Sequence, residues 1–117
     1  MKAVICGELF DGTGLTLKSD WTLLIDGENI VSSKPTSDSQ IPSDSEVLDA
    51  RGSTVIPGLI DCHDHLASFG YEIASRWGLT EQQSHRHMRI ASTLRQTLHT
   101  GYTTIRDAGR LPAGFRN

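Results

Sequence analysis

Cysteine is scarce in this sequence: 117 residues hold only Cys6 and Cys62, with no CxxC pair. So few thiols exclude a disulfide framework and a cysteine-built zinc knuckle, and they suit a reducing compartment. Long apolar runs are missing as well. No stretch approaches the ~20 residues needed to cross a bilayer. The opening MKAVICGELFDG is cut by Gly7 and Glu8 before a signal-peptide core could form, so a cytoplasmic protein without a membrane partner is expected. Basic residues are few in the first half, where residues 1–50 carry three Lys/Arg against nine Asp/Glu. The second half reverses this, with seven arginines in 76–117 against Glu81 and Asp107. An arginine-rich tail raises a nucleic-acid reading. The arginines are scattered and the whole chain carries a net charge of −3, so a solvated helix face is the expectation and nucleic acid is not.

What remains is the composition of a globular protein, 37% hydrophobic and 21% charged. A chain of this length buries roughly 65% of the surface its unfolded form exposes. Residues 2–33 read as short strands. Lys2–Cys6 comes first, Phe10-Asp11-Gly12 turns away, and Trp21–Ile25 is joined to Glu28–Ser32 through the hairpin signal Asp26-Gly27. Residues 34–46, KPTSDSQIPSDSE, are rich in Ser, Asp and Pro and read as a partly disordered surface loop. VLDARGSTVIPGLID then gives two strands, broken at Arg51-Gly52 and at Pro57-Gly58.

From Thr80 the period changes to that of a helix about 20 residues long. Thr80 and Gln83 fit a capping box, with Glu81 in the first turn where the helix dipole favours negative charge. His87, Ala91, Leu94 and Leu98 draw one apolar stripe, and Arg86, Arg89 and Gln96 fall elsewhere on the wheel. Gly101 sits where a left-handed residue would close the helix. YTTIRDAG follows with the β-branched density of a buried strand. Strand, helix and strand in this order predict a βαβ unit with parallel, neighbouring strands.

The first of those strands carries the chemistry. VIPGLIDCHDHL, residues 55–66, starts with Val55, Ile56, Leu59 and Ile60 and ends in four ionisable side chains. Strand alternation puts His63, His65 and Asp61 on one face, with Cys62 and Asp64 on the other. Two imidazoles one strand step apart can converge on a single metal ion. The C-terminal end of a parallel strand is where α/β folds place catalytic groups. Cys62, facing away, reads as a packed thiol. His85 and His87 repeat the spelling on a helix, where a two-residue step turns about 200°, so they cannot share a metal. His99 reads as favourable charge at the helix end, and Asp107 closes the second strand near the same mouth.

PGLIDCHDH, preceded by LDARGSTVI and by the MKAVICGELFDGTG opening, resembles the amidohydrolase superfamily of metal-dependent hydrolases. HTGYTTIRDAG, residues 99–109, is similar to the second barrel strand of its prolidase-like and imidazolonepropionase-like branches. The resemblance covers nearly the whole chain, most weakly at 34–46. It departs at Arg110, where many relatives have a second glycine, so the family's next loop is not carried over. The resemblance implies an α/β fold. Residues 1–53 would be part of a composite β-sandwich, and 54–117 would begin a (β/α)8 TIM barrel with one βαβ unit.

The resemblance further implies that His63 and His65 are metal ligands and that the cofactor is divalent metal, zinc by default, as one or two ions. Asp61 reads either as a group that orients an imidazole from behind or as a plain strand-end carboxylate, and Asp107, at the same mouth, is the other candidate for such support. Such a metal acidifies a water and polarises a scissile carbonyl. The substrate would be a small molecule with an amide, cyclic amide or dipeptide bond, and the full-length enzyme could be a homo-oligomer. A complete barrel takes about 250 residues, and the family's other ligands and catalytic aspartate come from later strands. The chain is therefore expected to be the first part of a longer enzyme, inactive alone. Two other classes stand beside this reading: a β-rich binding module built on residues 1–53, and a basic helix within 81–116 docking on nucleic acid.

Overall fold

The computed structural model describes residues 1–68, 81–109 and 111–115. They form two compact units, Met1–Pro57 and Gly58–Asn117.

The first unit is one four-stranded mixed sheet in the order β3-β2-β1-β4, made from β1 (Lys2–Leu9), β2 (Lys18–Asp26), β3 (Asn29–Pro35) and β4 (Glu46–Val55). β1 and β2 are antiparallel, as are β2 and β3, while β4 returns to pair with β1 in parallel. The β2–β3 hairpin turns at Gly27-Glu28, with Asp26 opposite Asn29. Only Gly27 of that loop has a positive φ, +57°, as a type II′ turn requires at its first position. This single sheet has no second layer packed on it among the described residues of the unit, so its core is small. Cys6, Leu9 and Leu23 are buried, with Val4, Trp21 and Val55 packed against them. Thr22 is fully buried, and its hydroxyl pairs with that of Thr36 at 2.9 Å.

Two expectations fail in this unit. Arg51-Gly52 does not break a strand, because β4 runs continuously from Glu46 to Val55. The register shows why: Cys6 faces Ala50 and Glu8 faces Thr54, so β4 carries two extra residues opposite Gly7. The glycine marks a bulge, which absorbs extra residues without ending the ladder. Val55 therefore finishes the first sheet instead of starting the next one, and the units divide after Pro57, not after Ser53. The segment expected to be a partly disordered surface loop is ordered by local bonds. Residues Thr36–Asp38 form a 3-10 turn, Ser39 Oγ donates to the Pro35 carbonyl at 3.0 Å, and Ser45 N–H reaches the Pro42 carbonyl at 3.0 Å.

The second unit has β5 (Leu59–Asp64), α1 (Gln83–His99) and β6 (Tyr102–Asp107), with β5 and β6 parallel. Gly101, at φ +97°, closes α1 as expected, its N–H bonded to the Leu98 carbonyl at 3.0 Å. The helix start differs. Gln82 is the N-cap and no side chain caps it; the Thr80 half of the expected capping box lies outside the described residues, as does Arg110. Glu81 precedes the helix and forks onto Arg89 through two bonds, 2.9 Å to Nε and 2.7 Å to Nη2. The inward face is rotated too. His87, Ala91 and Leu98 are exposed, whereas Arg86, Arg89, Ile90, Thr93, Leu94 and Thr97 are the shielded positions, Ile90 completely. Arginine stems lie along apolar surface while their heads find partners, so a stripe drawn from apolar residues alone missed this face.

Candidate metal centre

The two histidines end β5, with His63 inside the strand and His65 just beyond it. Their rings are 5.1 Å apart, centre to centre, and inclined at 67°. Two imidazoles bound through nitrogen at about 2.0–2.1 Å to one tetrahedral ion would have centres about 5 Å apart, so the observed separation fits a shared ion. Both side chains are exposed. Among the described residues no group of three or more His, Cys, Asp or Glu converges to hold a metal. The pair fits part of a ligand set.

The backbone around the pair is tied down by carboxylates. Asp61 accepts the His63 N–H at 2.9 Å, and Asp64 accepts the His65 N–H at 2.7 Å. Asp61 thus fixes the main chain of its neighbour. A short aspartate side chain reaches a backbone N–H two residues on more readily than a ring. The β6 end is joined to the β5 end in the same way. Asp107 accepts Leu66 N–H at 2.9 Å and Gly109 N–H at 2.8 Å, and Ala108 N–H reaches the Asp64 carbonyl at 2.7 Å. Arg106 donates from Nε to the Cys62 carbonyl at 2.5 Å.

Cys62 is exposed, not packed; β5 has only β6 beside it, and its outer face has no cover among the described residues. Of the other histidines, His87 meets Phe115 edge-on at 5.8 Å, and His99 occupies the last turn of α1. Asp64 and Arg106 are the residues that sequence reasoning missed. Strand alternation pointed Asp64 away from the pair and gave no hint of its local bond, and a guanidinium seeking a carbonyl leaves no pattern at all.

No family model matches the chain. Curated relatives do. An imidazolonepropionase from Streptomyces griseus is 42% identical over 62 residues, 53% of this chain and 15% of that protein. A dihydroorotase from Clostridium acetobutylicum is 36% identical over 83 residues, 71% of this chain and 16% of that protein. Similar solved structures include prolidases and an amidohydrolase, the latter 27% identical with a TM-score of 0.80, covering 97% of this chain and 27% of its own. The chain belongs to the amidohydrolase superfamily. It is similar to the N-terminal part of those hydrolases and spans about a sixth of the length of the two curated relatives. The mixed sheet and helix match that region of the solved amidohydrolase. The homologues are hydrolases of carbon–nitrogen bonds.

Proposed function

We propose that this chain supplies the first two metal ligands, His63 and His65, of a metal-dependent amidohydrolase acting on amide, cyclic amide or dipeptide bonds. Under this reading β5, α1 and β6 begin a (β/α)8 barrel. The observation that carries it is the 5.1 Å imidazole pair at the C-terminal end of a strand paired in parallel. When bound there, a divalent metal would supply Lewis acidity toward water and carbonyl oxygen. The chain's own part is positional: β5 presents both imidazoles, and Asp61, Asp64 and Asp107 hold the peptide groups beneath them. Zinc sites ordinarily need three or four protein ligands. Two imidazoles should bind metal weakly, and the chain alone should not turn over substrate.

The nucleic-acid reading loses support at the arginines themselves. Arg89 is held by Glu81, Arg106 is bonded to the Cys62 carbonyl, and Arg86 is also engaged. Cobalt(II) titration followed by its visible spectrum tests the metal reading. Wild type should bind one ion weakly, and His63→Ala and His65→Ala should each abolish the signal. Binding that persists in the double variant would overturn it. Metal-dependent hydrolysis of amide, lactam or dipeptide substrates that disappears in His63→Ala would overturn the expected inactivity.

A further inference from the structure

We propose that Asp107 is a positioning residue that sets the placement of the His65 imidazole through the backbone, without touching the ring. The purpose of this clasp rests on the metal reading above; its geometry does not. Every peptide group around His65 has a partner. Its own N–H is taken by Asp64, its carbonyl accepts the Ser68 N–H at 2.9 Å, and the next N–H, that of Leu66, goes to Asp107 Oδ2. The second Asp107 oxygen, Oδ1, takes the Gly109 N–H. Gly109 in turn lies beside the imidazole, where a Cβ would sit 4.0 Å from His65 Nδ1. One half-buried carboxylate therefore grips the chain at two places next to His65: the residue that follows it in sequence and a residue that neighbours its ring in space.

The residue type follows from the donors. Two N–H groups converge on one side chain, and only a carboxylate offers an acceptor oxygen to each. Asparagine keeps the shape but turns an NH2 toward one of the two donors. Glutamate keeps both acceptors but is one methylene too long. Bonds from backbone N–H to an ionised acceptor are among the stronger ones, so this clasp should resist fraying at an otherwise open strand end. Leu66, whose N–H it holds, is 4% exposed, so the clasp also anchors a buried apolar residue.

The test compares wild type, Asp107→Asn and His65→Ala by three readouts. Amide hydrogen exchange should show Leu66 and Gly109 protected in wild type and faster in Asp107→Asn. The through-space NMR contact between the His63 and His65 rings, measured without metal, should weaken in Asp107→Asn. Cobalt(II) affinity should fall about tenfold, the scale expected when the support of a ligand is removed, measured at a temperature where both proteins are folded. If wild type binds no cobalt(II), the metal reading fails while exchange and the ring contact still decide the clasp. Unprotected Leu66 and Gly109 amides in wild type would overturn the proposal without any variant. So would an Asp107→Asn protein with exchange and ring contact unchanged. Should Asp107→Asn not fold, Asp107→Glu is read by the same criteria.

Discussion

Gly7 shows how much one missing side chain can decide. A Cβ there would run into the Arg51 carbonyl, backbone that cannot swing aside, just where β4 bulges past β1. Gly7→Ala should therefore destabilise the first unit by about 2 kcal/mol or more, while Gly14→Ala, with nothing within 4 Å, should stay within about 0.5 kcal/mol. Urea unfolding of the two variants checks the contrast, and equal midpoints would show that the bulge relaxes freely. The glycine of PGLID has a similar reason, since a Cβ at Gly58 would strike the Thr103 side chain. At this scale the sequence was readable where chemistry dictates spacing: His63 and His65 do end a strand side by side. It was unreadable where a side chain serves a peptide group, as Asp61, Asp64 and Asp107 do, because any nearby N–H satisfies a carboxylate.

The elements were legible in kind and less so in their faces and ends. Three hairpin-type strands, a helix closed by Gly101 and a parallel strand after it all follow from local signals. The lateral return of β4 to β1 does not, since a strand's partner depends on which edge is free. Helix α1 shows the limit of reading apolar stripes. Its inward face includes Arg86 and Arg89, and its beginning is secured by Glu81 gripping Arg89 across eight residues. The Arg89 guanidinium holds the Glu81 carboxyl below its ordinary value, helped by Arg86 and His85 nearby. A lowered carboxylate pKa contributes stability that is complete above the unfolded value of 4.5 and is lost as pH falls through the lower folded value. Far-UV circular dichroism should show α1 fraying below pH 4.5 in wild type. Glu81→Gln should show the same loss already at neutral pH and no acid transition from this source. Identical pH curves for the two proteins would remove the pair from the account.

For the molecule as a whole, the telling quantity is how little apolar surface finds cover. Buried apolar side chains among the described residues are only Ala3, Cys6, Leu9, Leu23, Leu66, Ala67 and Ile90. Ile60 is 66% exposed and Leu48 62%. A groove of about 550 Å³ lies open between α1 and β6, lined by Leu94, Leu98, Tyr102, Ile105 and Phe115 among others. β5 and β6 make a two-stranded sheet, and uncovered apolar strands recruit other chains. Purified alone, the chain should show an apparent mass by light scattering that rises with concentration, and Ile60→Lys should shift it toward monomer. A wild-type mass independent of concentration would show that these surfaces are tolerated. The sequence marked Leu94 and Leu98 as an apolar stripe and Tyr102–Asp107 as a buried strand; what it could not announce was which neighbours this chain would provide for them. The parallel return of β4 has one more consequence, in the time order of synthesis. As the polypeptide leaves the ribosome, β1, β2 and β3 can zip together from adjacent segments, contacts that form quickly because they are local. Val55, which packs over Cys6, Leu9 and Leu23, lies 20 residues beyond the end of β3 and emerges later. Until then the Cys6 thiol, whose pKa is raised by burial in the finished fold, should stay open to alkylation. Its protection is thus a clock for the moment the nascent sheet gains its last strand.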